Sequence, residues 1–144
     1  MSDVVLSERE RIEQLESLIL QVPQVDLNTT HALSGFVYAR TIFIPAGTVL
    51  TGAVHKKDHI NVMFGDITVS TDDGMQRLTG YHVLPTKAGA KRAGFAHADT
   101  HWTTLCHTQL EEVEAIENEL VEDAERLQTR QAGITHSPLE RLEA

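Results

Sequence analysis

Two histidines, His55 and His59, stand four residues apart in "GTVLTGAVHKKDHINVMFG", residues 47–65. Neutral imidazole is the commonest protein ligand for transition metals, so a pair at this spacing raises the question of a metal site. Two imidazoles are too few for such a site, and Asp58, His97 or His101 would have to complete it. His97, Asp99 and His101 form an H-x-D-x-H pattern, which on one strand would face one side. The same stretch also reads as a turn, because Asp99-Thr100 suits the entry to a following strand. Cys106-His107 puts a thiol beside an imidazole, but neighbouring strand residues point to opposite faces. That pair therefore cannot act as nucleophile and base, and Cys106 reads as a small core filler. Arg92, with Lys87 and Lys91, offers a guanidinium fork and two ammonium groups. These suit a phosphate or carboxylate, or simply a solvated basic loop.

The elements that must carry these residues fall into three zones. Residues 1–30 hold an amphipathic helix and a linker. Ser7 and Glu10 have capping-box spacing, Ile12, Leu15, Ile19 and Val22 recur on one face, and Pro23 ends the run, which predicts a helix over 7–21. Residues 31–107 read as short strands. "FVYARTIFIPAGTVLTGAV" is broken by a Pro45-Ala46-Gly47 turn, "INVMFGDITVSTDDGMQRLTGYHVL" contains a DDG hairpin signal, and "HWTTLCHT" makes a last strand. Gly65-Asp66 reads as a further turn between strands. Residues 108–144 predict a long acidic helix and a tail. Thr108 and Glu111 have capping-box spacing, Val113, Ile116, Leu120, Ala124 and Leu127 mark a narrow apolar seam, and Ser137-Pro138 looks like the start of a short terminal helix.

Composition limits the functions available. The 144 residues suffice for one domain with a core, and no apolar run is long enough to span a membrane. One cysteine excludes an internal disulfide, and the acidic N-terminus lacks the apolar stretch of a signal peptide, so the expected location is cytoplasmic. Residues 109–126 hold eight acids against Arg126 alone, so most of the net charge of −9 is concentrated there. With no basic face of any size, nucleic acid is not an expected partner.

Residues 35–107 resemble the cupin superfamily, small β-barrels of the jelly-roll kind. The first cupin motif begins with a glycine, continues to a histidine pair and an acid, and closes on a glycine. Here Gly47 is followed by Ala53, His55, His59 and Gly65 in that order. The second motif matches "YHVLPTKAGAKRAGFAHADTHWTTL", with Gly89 as its glycine, Lys87 at its proline position, Arg92 where a histidine would stand, and Ala96 for its asparagine. The resemblance implies a cupin-like barrel whose inherited ligand positions are Ala53, His55, His59 and Arg92. A guanidinium repels a divalent ion and has no lone pair to give, so this set implies a lost metal site and no cofactor. The stretch "TKAGAKRAGFAHADTHWTTLCHT" is also similar to small cupin-like proteins encoded by tailed phages.

These readings predict a mainly β, cupin-like jelly-roll flanked by an N-terminal helix and a long C-terminal helix. The expected function is non-catalytic: an oligomeric protein-interaction component, on the phage resemblance a virion protein, making homo-oligomer and other protein contacts through a helix over 108–130. Two alternatives stand beside it. One is a metal-dependent cupin enzyme using His55, His59, His97 and His101. The other is a module binding a small anion through His55, His59, Lys91 and Arg92.

Overall fold

A computed structural model describes residues 5–131, 134 and 137–141. The first helix, α1 (Glu8–Ile19), starts where the capping box demands. The Ser7 hydroxyl accepts from the Glu10 amide at 3.1 Å, and the Ser7 amide donates to the Glu10 carboxylate at 3.2 Å. Only Ile12 of its apolar positions is fully buried.

Seven strands follow: β1 (Thr30–Ser34), β2 (Val37–Ile44), β3 (Val49–Thr51), β4 (His59–Thr71), β5 (Gly74–Thr86), β6 (Ala93–Ala96) and β7 (Thr100–His107). An eighth short strand, β8 (Glu140–Arg141), lies parallel to β1. They form one curled, mixed sheet in the order β3-β6-β4-β7-β2-β1-β8, with β5 paired along the whole length of β4. Side chains alternate across it. Tyr38, Arg40, Ile42 and Ile44 of β2 line the concave side, as do Thr104 and Cys106 of β7. Ile44, Met63, Ile67, Val69 and Ala96 form the core at the floor of the curl.

The turns at Pro45-Ala46-Gly47 and Asp72-Asp73-Gly74 are present, with Gly47 at φ 85° and Gly74 at φ 97°. Gly65-Asp66 is not a turn. It lies inside the continuous strand β4, where β7 begins, and a Cβ on Gly65 would stand 2.4 Å from the Thr100 hydroxyl and 2.8 Å from the Asp99 carbonyl. Glycine is needed there for close approach, a requirement that resembles turn punctuation in a sequence.

The long C-terminal helix is also corrected. The helix α2 spans only Val113–Leu120, and two single 3-10 turns (Ala124–Arg126 and Gln128–Arg130) follow. The Thr108 hydroxyl accepts from the Leu110 amide, a local turn in place of a capping box. At the other end, Val121 is extended and bridges to His55, while Lys56 N–H donates to Leu120 O at 2.8 Å and Glu122 N–H to Val54 O at 2.9 Å. Backbone pairing with residues 54–56 ends the helix, and Asp123 in the left-handed region (φ 50°) turns the chain. The apolar seam is therefore spent within the chain itself: Ile116, Leu120, Val121 and Ala124 pack against Tyr38 and Cys106 and plug the open end of the curl. Pro138 precedes β8 in place of the expected terminal helix. No helix among the described residues is long and apolar enough to cross a membrane.

Candidate functional site

A cavity of about 200 Å³ lies between the curled sheet and the plug. Its walls are largely apolar, from Ile42, Ile44, Leu50, Ile67 and Trp102. A polar belt crosses it, because β4, β5 and the segments before β4 and β6 each deliver one or two polar side chains inward. All four positions carried over from the cupin motifs, Ala53, His55, His59 and Arg92, line this one cavity.

The two imidazoles touch, with ring centroids 4.3 Å apart. His59 Nδ1–H donates to the Lys57 carbonyl at 3.0 Å. Burial first, then the neighbouring His59 and Arg40, push the His55 pKa down to about 4, so His55 is neutral at pH 7. Beside them, Thr86 donates to the Asn61 side-chain carbonyl at 2.8 Å, and Asn61 donates to the Thr104 hydroxyl at 2.9 Å. Arg92 donates through Nη1 to the Ser70 carbonyl (3.1 Å) and through Nη2 to Thr86 (2.9 Å). Its Nε is buried with no acceptor.

The remaining candidates lie elsewhere. Lys91 lines no part of the cavity; it donates to Glu16 of α1 and to the Gly52 carbonyl at 2.6 Å, tying the helix to the barrel rim. His97 sits on the outer side of the sheet, its Nε2 2.7 Å from the Thr68 hydroxyl. His101 is exposed on that outer side, packed edge-on to Phe43. Asp99 accepts from the Ala46 amide at 2.9 Å and Asp58 from the Ala88 amide at 2.8 Å, so both fasten turns. The set His55, His59, His97 and His101 is thus not one constellation, and among the described residues no three of His, Cys, Asp and Glu converge as metal ligands would. The cavity's donors, two imidazoles beside a guanidinium, do not fit a divalent metal. Nor do they supply a nucleophile: burial pushes the Cys106 thiol up to about 11.

Three contributors escape motif matching. Asn61 shares the inward face of β4 with His59, two residues on, and strand periodicity is the signal that finds it. Arg40 is a charge between the inward Tyr38 and Ile42. It meets Glu117 of α2 at 2.6 Å, and Glu117 also binds Thr129 (2.7 Å) and Arg130 (3.2 Å). Burial opposes ionisation of Glu117, but these partners outweigh it and hold its pKa below the ordinary glutamate value.

The convex side has a different character. Phe64 pairs with Tyr81 and with His101, and His101 with Phe43; Val62 pairs with Val83 and Thr103; Ile60 pairs with Pro85 and Leu105. Phe64 is 62% exposed, Tyr81 65% and Val83 52%. This field across four strands holds no Asp, Glu, Lys or Arg, and nothing among the described residues covers it.

No family profile and no curated protein matches the chain in sequence. Among solved structures, it is similar to a cupin-2 domain protein from Shewanella frigidimarina (10% identity, TM-score 0.46, covering 65% of this chain and 92% of that one). It is also similar to a cupin superfamily protein from Desulfitobacterium hafniense (14% identity, TM-score 0.46, 64% and 88%). A third is the cupin-2 domain of a transcriptional regulator from Enterobacter cloacae (14% identity, TM-score 0.42, 52% and 84%).

Proposed function

We propose that the chain is a non-catalytic, cupin-like interaction component that works as a homodimer, two copies meeting through the convex face of the sheet. The observation that carries this is the exposed aromatic and aliphatic field around Phe64, Tyr81 and Val83. Contiguous apolar surface of this kind marks an interface, and a two-fold axis places the same patch on both sides. The occupant follows from charge. The chain carries −9 overall, so two copies repel wherever their acids face each other. The field around Phe64, Tyr81 and Val83 holds no carboxylate, lysine or arginine, and the nearby Asp66 is already paired with Arg77 at 2.7 Å, so two copies meet there without that cost. The acidic C-terminal segment, by contrast, has already spent its apolar side on its own barrel. The interaction surface therefore shifts from the 108–130 segment to the sheet. The sequence resemblance to tailed-phage proteins extends this reading to a virion component in the host cytoplasm, which detection of the chain in purified particles would test.

Light scattering behind size exclusion should give twice the 16.0 kDa chain mass for the unaltered protein. It should give the single mass for a Phe64→Glu/Val83→Glu variant, because opposed carboxylates would be forced into the interface. Both substitutions are at exposed positions, so the circular dichroism should not change. An unaltered protein that runs as a monomer at tens of micromolar would overturn the proposal.

A further inference from the structure

Arg92 differs from the other partly buried basic groups of the chain. Arg40 and Arg130 meet Glu117, and Lys91 meets Glu16. Arg92 has no carboxylate within ion-pair distance among the described residues; its bonds go to a carbonyl and a hydroxyl, and its Nε–H has no acceptor. A half-buried guanidinium whose one acidic neighbour, Asp72, acts on it from beyond ion-pair distance, and whose Nε–H is unsatisfied, is costly to keep. It stands at the wall of a cavity of about 200 Å³ whose other walls are mostly aliphatic, with Trp102 among them.

We propose that this cavity binds a small monocarboxylate, the carboxylate making the close ion pair that no acid of the described residues makes with Arg92, and the apolar body lying against Trp102 and the isoleucines. The site goes beyond the dimer reading and is independent of it. A carboxylate suits one guanidinium, since planar fork meets planar acceptor. A phosphate dianion is a poorer match, because the cavity offers no second cation beside Arg92 that lacks its own carboxylate: Arg40 is held by Glu117 and His55 is neutral. Neutral His55 can share a hydrogen bond with the ligand without adding charge. The volume of about 200 Å³ is enough for an aromatic acid or a short-chain fatty acid.

Trp102 is the only tryptophan and lines the cavity, so its fluorescence reports on the site directly. The probes are benzoate and straight-chain acids from acetate to octanoate, each compared with its amide, and inorganic phosphate. Benzoate or one of the longer acids should change Trp102 emission saturably and raise the melting temperature. The matching amide should bind at least about tenfold more weakly, as loss of a charge-assisted pair predicts. Arg92→Gln should weaken the acid to the level of the amide and leave the amide unaffected. The acid–amide comparison uses the unaltered chain, so it stands even where Arg92→Gln folds poorly. Acids and amides binding alike, phosphate matching the acids, or no saturable response to any acid would each overturn the proposal.

Discussion

His55 is neutral because of where it sits, and that fixes a pH dependence. Its pKa drops from an ordinary 6.5 to about 4 on folding, mainly through burial. Between those values the unfolded chain binds the proton and the folded chain does not. The stability is therefore full above pH 6.5 and falls as the pH drops toward 4, by on the order of 3 kcal/mol in all. Glu117 acts in the same direction at lower pH, since its carboxylate is also favoured by the fold. Melting temperatures between pH 7 and pH 4 should decline, and His55→Gln should flatten that decline; an unchanged slope would refute a buried neutral imidazole. At this scale the motif positions Ala53, His55, His59 and Arg92 are legible in the sequence, and all four line the cavity. The match had no bearing on His97 and His101, whose side of the sheet depends on the register of the last strand.

Glu117 shows what the elements do for one another. It is 4% exposed on the short helix α2 and answers Arg40 from β2 and Arg130 from the following turn. One carboxylate thus fastens the plug to the barrel. Glu117→Ala should cost about 3 kcal/mol, most of it from leaving two partly buried guanidiniums unpaired. In the double variant Glu117→Ala/Arg40→Ala the losses should be clearly less than additive in denaturant titrations, and simple additivity would count against the clamp. The strands and α1 are legible in the sequence because alternation and capping are local signals. The extent of α2 is not. Its apolar seam has helical spacing, but the backbone of residues 54–56 claims the amides and carbonyls of residues 120–122. Gly65 misleads for a similar reason: the demand for a glycine comes from β7, far away in sequence.

On the scale of the whole molecule, the concave and convex sides of one sheet differ in character. The concave side and the plug line a half-open cavity with a guanidinium and two imidazoles. The convex side exposes Phe64, Tyr81 and Val83, the field we propose a second copy covers. The sequence shows the alternation but not which set faces outward uncovered, because burial depends on how the sheet curls. On our proposal the interior holds no metal and the chain works as a pair. Native mass spectrometry on protein purified without chelators tests both halves on one sample. The expected species is a dimer of the 16.0 kDa chain with no transition metal bound. A monomer, or one iron, zinc, manganese or nickel ion per chain that disappears with His55→Ala/His59→Ala, would contradict it.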